Sequence, residues 1–168
     1  ENGEFTNARK LAERARKEAP SGRVWMKSAQ LERSVGNFDA ALRTVDDGLA
    51  RYATETKLHL MGIQLCIGPL NRPDEGRQRF KAAVEACPES HILWVLFVQL
   101  EQRLHGAAKA RSVLDMGRAK LPTNEYIWRE AARLERRAAA DKDAKQGAQV
   151  ADSVLSVALQ RAPTSAVL

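Results

Sequence analysis

The chain has 168 residues, 44% hydrophobic and 29% charged, which excludes a disordered polymer and allows a sizeable buried core. Its 27 basic and 21 acidic residues leave a net charge of +6, which suits an acidic protein partner or RNA. The longest apolar run, Ile92 to Val98, is far too short to cross a bilayer.

Few aromatics and abundant alanine and leucine favour helix over strand. Most basic residues alternate with acids, as in "EFTNARKLAERARKEAP", the pattern of solvated helix faces. The chain opens on Glu1 with no leader-like segment, which fits a piece of something longer. Cys66 and Cys87 form no CxxC pair and read as two reduced thiols.

The first element, "NARKLAERARKEAP" (7–20), sets Ala8, Leu11, Ala12 and Ala15 at helical spacing and ends on Pro20, predicting a helix over 4–19. Next comes "RVWMKSAQLE" (23–32), a helix over 22–35 with Ser21 as N-cap and Trp25 seven residues before Glu32. Gly36-Asn37 turns the chain into "AALRTVDDGLARYA" (40–53), a helix over 38–52. "HLMGIQLC" (59–66) then predicts a helix over 55–67, with His59 in the tryptophan position and Cys66 in the glutamate position.

Gly68-Pro69 and Arg72-Pro73 lead to "EGRQRFKAAVEACP" (75–88) and a helix over 74–87. "ILWVLFVQLE" (92–101) repeats the tryptophan helix over 90–104, capped by Ser90, and after Gly106 "KARSVLDMGRAKLP" (109–122) predicts 107–121. "YIWREAARLE" (126–135), behind Asn124, predicts 124–140. An insertion, "AAADKDAKQG" (138–147), is expected in a surface connection, extending the helices or hanging free. "VADSVLSVALQRAP" (150–163) closes the series over 147–162.

These elements form a repeat. Trp25, His59, Trp94 and Trp128 are spaced by 34, 35 and 34 residues and are the structural anchors. Four of the five second helices end in proline: Pro20, Pro88, Pro122 and Pro163. One second-helix column is always small (Ala15, Gly48, Ala83, Gly117, Ala158), which predicts a close neighbouring helix.

Two further columns vary together. The second-helix position reading Arg9, Leu42, Arg77, Arg111 is matched in the next first helix by Glu32, Cys66, Glu101, Glu135. This predicts the ion pairs Arg9–Glu32, Arg77–Glu101 and Arg111–Glu135, with Leu42–Cys66 as an apolar substitute. The ending "APTSAVL" matches "APSGRVW", with Leu168 at the Val24 position. This predicts a chain cut in mid-array, an apolar face around Val154, Leu155 and Ala158 partly uncovered, and an end open to self-association.

A period of this length first suggests a tetratricopeptide repeat, whose first helix reads W-x2-L-G-x2-Y. Here it reads W-x5-L-E, and the second helix opens Ala8-Arg9 or Ala110-Arg111. That pattern resembles the half-a-tetratricopeptide (HAT) repeat. "ARKLAERARKEAPSGRVWMKSAQLE" (8–32) and "CPESHILWVLFVQLE" (87–101) are similar to the C-terminal repeats of the pre-mRNA-processing factor 6 family of the spliceosomal tri-snRNP. His59, Cys66 and the 138–147 insertion depart from the pattern.

The fold expected is all-α: one array over 1–168, a right-handed α-α superhelix (solenoid) of four antiparallel helix pairs plus an unpaired leading helix. His59, His91 and His105 lack zinc-ligand spacing, and no Walker, GxGxxG or GxSxG motif is present, so no enzyme, metal or cofactor is expected. The resemblance implies a nuclear, non-enzymatic scaffold bridging snRNP particles through other spliceosomal proteins, with weak or indirect RNA contact. Three alternatives stay open: a HAT subunit of another RNA-processing complex (mRNA 3′-end or rRNA), a direct RNA-binding repeat, and a peptide-docking adaptor.

Overall fold

A computed structural model describes residues 2–140 and 144–161. Among these residues all regular structure is helical: α1 (Asn2–Glu18), α2 (Gly22–Ser34), α3 (Phe38–Leu49), α4 (Thr56–Ile67), α5 (Pro73–Ala86), α6 (His91–Lys120), α7 (Glu125–Ala140) and α8 (Ala144–Arg161). Inside α6, Gly106 adopts φ 79° and ψ −178°, a conformation essentially confined to glycine. It divides the element into arms 91–105 and 107–120, which correspond to two separate helices of the repeat.

The chain forms two compact units, Glu1–Cys87 and Pro88–Leu168. In the first, each helix packs on its sequence neighbour, and α2 also touches α4. Trp25, Ala29, Val45, Leu58 and Leu65 share its core. In the second, α7 packs against both α6 and α8, and Phe97, Leu100, Leu114, Ile127 and Leu134 are almost completely buried.

Local chemistry sets most of the boundaries. Ser21 Oγ accepts the Val24 N–H at 3.3 Å, and Asn124 Oδ1 accepts those of Tyr126 and Ile127 at 3.1 and 3.4 Å. Ser90 departs from the expected cap: its side chain bonds no helix N–H, and only its backbone carbonyl receives Leu93 and Trp94. Pro73 opens α5, where its missing N–H costs nothing, and Asp74 and Glu75 suit the positive helix end. Pro163 and Leu168 lie outside the described residues.

The insertion at 138–147 largely lengthens the helices, since α7 runs to Ala140 and α8 starts at Ala144. Of the face expected to be partly uncovered on the last helix, Val154 and Leu155 are so and Ala158 is not. Ala158 is fully buried and Val154 and Leu155 are half-buried, while Val157 and Leu159 are exposed.

Candidate interaction surface

The anchors occupy equivalent places. Trp25, Trp94 and Trp128 are buried, and so is His59. Trp94 Nε1 donates to the Pro88 carbonyl at 2.9 Å, and Trp128 Nε1 to the Pro122 carbonyl at 2.8 Å. His59 Nε2 makes the same bond to the Ala53 carbonyl at 2.7 Å, so that nitrogen carries the proton. In each case the acceptor lies six residues before the ring. Histidine therefore replaces tryptophan here as a flat ring with one correctly placed donor.

Trp25 breaks the rule. Its Nε1 is buried without a partner. Pro20 precedes Trp25 by five residues, whereas Pro88 and Pro122 precede their tryptophans by six, so the corresponding carbonyl is out of register. Arginines flank two of the rings: Arg16 and Arg51 lie 5.0 and 5.5 Å from the Trp25 centroid, and Arg118 and Arg161 lie 4.9 and 5.7 Å from that of Trp128.

The small column packs on the preceding anchor. A Cβ added at Gly48 would fall 2.9 Å from Trp25 Cβ, and one at Gly117 would meet the Trp94 ring at 3.4 Å.

Of the paired columns, Arg9 meets Glu32 through two bonds of 2.7 and 2.6 Å, and Arg111 meets Glu135 through two of 2.7 Å. Each arginine's hydrogen bond holds its glutamate's carboxyl below the usual carboxylate range. Leu42 and Cys66 are both buried in the first unit's core. Arg77 and Glu101 fall one in each unit.

A further set of ion pairs links second helices directly. Arg79 on α5 grips Asp46 on α3 with bonds of 2.6 and 3.0 Å, and Arg72 reaches Asp39 at 3.0 Å. Arg79 also bonds Glu75 at 3.1 Å and neighbours the Cys66 thiol, which burial pushes up and keeps protonated. These residues strap α3 to α5 above α4.

The corresponding space between α1 and α3, above α2, is open. It is a groove of about 470 Å³ lined by Arg9, Glu13 and Arg16, by Ser28 and Glu32, and by Ala40, Arg43, Thr44 and Asp47 among others.

Sequence reasoning missed the strap, although Arg79 is the lone charged residue in a column otherwise reading Leu11, Thr44, Val113 and Val154. It also missed Glu130, which is 1% exposed and receives Gln99 Nε2 at 3.1 Å. Both cysteines are free and buried. Among the described residues no group of His, Cys, Asp or Glu could hold a metal, and no helix is long and apolar enough to cross a membrane.

No protein-family model matches the chain. It is 34% identical over 137 residues to pre-mRNA-splicing factor prp1 of Schizosaccharomyces pombe, covering 82% of this chain and 15% of the relative, so it spans less than a sixth of that protein. A crystal structure of MamA covers 95% of the chain and 90% of its own at a TM-score of 0.59 and 10% identity. A thermophilic tetratricopeptide-repeat protein of Thermus thermophilus covers 97% and 86%, at 0.54 and 20%. At these identities the two structures speak for the fold alone. The chain is an all-α helical-repeat protein of the HAT/tetratricopeptide-like kind that resembles prp1 over most of its length.

Proposed function

We propose that this chain is a non-enzymatic scaffold segment acting in pre-mRNA splicing in the nucleus, where it bridges proteins of the tri-snRNP. The observation that carries the reading is the similarity to a splicing factor across 82% of the chain. The repeat supplies a physical reason: consecutive helix pairs use their apolar residues on one another and leave long polar faces for partners. The 34, 35 and 34 residue spacing of the anchors supports one repeat pattern running through the sequence of both compact units.

Direct RNA recognition is the weaker reading. It relies on exposed rings that stack on bases, and here all three tryptophans are buried. The test is co-purification of the chain from nuclear extract at ~150 mM salt, where nucleic-acid contacts are already weakened. Splicing proteins retained after RNase treatment are the expected result. Tight, sequence-selective RNA binding with no protein partner would overturn the scaffold.

A further inference from the structure

The first compact unit contains two grooves of the same construction, one filled and one open. Each lies between two successive second helices, with a first helix as its floor. In the filled groove Arg79 crosses from α5 over α4 to Asp46 of α3. It passes so close to Gly62 that a Cβ added there would fall 3.3 Å from Arg79 Nη1, and the Cys66 thiol lies beside it.

Each of these positions has a counterpart one repeat earlier, in the open groove. Asp46 becomes Glu13, Gly62 becomes Ser28, Cys66 becomes Glu32, Glu75 becomes Ala40 and Arg79 becomes Thr44. All five counterparts line the open groove. Thr44 and Ala40 are too short to cross it, and the Thr44 hydroxyl is turned back onto the Ala40 carbonyl at 2.9 Å. The space that a guanidinium fills between α3 and α5 is therefore vacant between α1 and α3. Of the two carboxylates that receive Arg79, the Asp46 position keeps one as Glu13 and the Glu75 position loses it to Ala40, while Glu32 stands where the filled groove has only a thiol.

We propose that this groove docks an arginine side chain of a partner protein, received by Glu13 and Glu32. The surrounding charges favour that occupant over an acidic one. Arg9 is already held by Glu32 through two bonds, and Arg16 lies over the Trp25 ring. Arg43 and Asp47 offset one another in charge on the α3 wall. Glu13 is exposed, with Arg9, Lys10, Arg16 and Lys17 each about a turn away on the same helix and Arg9 interacting with it electrostatically. Glu32 already accepts Arg9 twice and Asn37 Nδ2 at 3.4 Å, and since a carboxylate offers about four lone-pair sites it can take one donor more. The planar fork of arginine suits two converging carboxylates better than the point charge of lysine.

The inference rests on the scaffold reading and names the chemistry of one contact. The test is an NMR titration of the 168-residue chain at low ionic strength. The probes are a short acetylated peptide carrying a single arginine and its citrulline and aspartate counterparts. The arginine peptide is expected to shift the amides of Glu13, Ser28 and Thr44, and the other two to leave them in place. Glu13→Gln, at an exposed position that leaves the fold intact, should weaken binding about fivefold. Thr44→Arg, which supplies from within the chain the group Arg79 supplies next door, should abolish it. Equal shifts with citrulline, larger shifts with aspartate, or binding unchanged in both variants would overturn the assignment. Splicing proteins retained by Glu13→Gln and Thr44→Arg would leave the scaffold standing and remove this groove from it.

Discussion

Trp25 and Trp128 hold the same position in two repeats and differ in one atom's fate. Both rings are buried, both have two arginines within about 6 Å, and both sit on a helix tied to the one before it by an arginine–glutamate pair. Yet Trp128 Nε1 has its acceptor at 2.8 Å and Trp25 Nε1 has none. The cause lies outside the ring, in a turn one residue shorter between Pro20 and Ser21 than between Pro122 and Asn124. Apolar packing tolerates that change because it is non-directional, whereas a hydrogen bond does not. Burial can therefore be inherited by sequence position while polar satisfaction must be rebuilt at each turn.

The largest effects should come from removing the rings. Trp25→Ala and Trp128→Ala should each cost ~3–5 kcal/mol in chemical denaturation, since each deletes a buried aromatic. Phenylalanine isolates the nitrogen. Trp128→Phe loses a made hydrogen bond and Trp25→Phe only an unmade one, so the first should be the more destabilising by ~1 kcal/mol. Equal costs would mean that the Trp25 N–H is satisfied in solution.

The glycines beneath the anchors extend the comparison. Gly48→Ala would press on Trp25 Cβ at 2.9 Å and on Leu58 Cδ1 at 3.1 Å. Overpacking of ~1–3 kcal/mol should exceed the ~1 kcal/mol that alanine returns to a helix. Gly117→Ala has ordinary contact at 3.4 Å, so the helix gain should dominate and stabilise the protein by ~0.5–1 kcal/mol. Opposite signs in thermal melts of the two variants are the expected result.

Lengthening the short turn is the direct repair. One threonine inserted between Pro20 and Ser21 copies the 122–124 spacing and would place the Pro20 carbonyl six residues before the ring. A gain of ~1 kcal/mol is expected, because satisfying a buried donor outweighs the entropy of one more loop residue. The same insertion into Trp25→Phe should gain nothing.

How much of this could be read in the residues follows a physical line. The helices were legible because prolines, glycines and apolar spacing act within a few residues of one another. Gly106 illustrates it: the turn expected there is made by a backbone conformation that other residues avoid. The Arg9–Glu32 and Arg111–Glu135 geometry was legible because the repeat supplies its own alignment, the columns changing together. Arg79 is the only arginine in its column, so the Arg79–Asp46 strap has no second copy in the sequence to expose it. Its open counterpart needs knowledge of how far apart two helices stand, which no residue type encodes. Ser90 shows the reverse failure, a correct cap residue in the correct place whose backbone alone does the work.

The smallest expected effect concerns the pair common to both anchor regions. Glu135 is mostly covered, its side chain 18% exposed, while Arg111 opposite is 46% exposed. Water and salt therefore screen the pair, and Glu135→Gln should cost no more than ~1 kcal/mol at neutral pH. Its pH dependence is the sharper readout. Arg111 lowers the Glu135 carboxyl in the folded state relative to the unfolded chain, where it returns to the ordinary range. The unfolded state then binds the proton first as pH falls, so the pair's contribution is complete above the ordinary carboxylate range and is lost through the depressed folded value. Wild type should lose stability more steeply than Glu135→Gln over that acid window, and the two curves should run parallel at neutral pH. Glu32→Gln should reproduce the effect in the first unit, since Arg9 depresses Glu32 in the same way. Parallel curves throughout the acid window would show that the bonds seen here do not persist in solution.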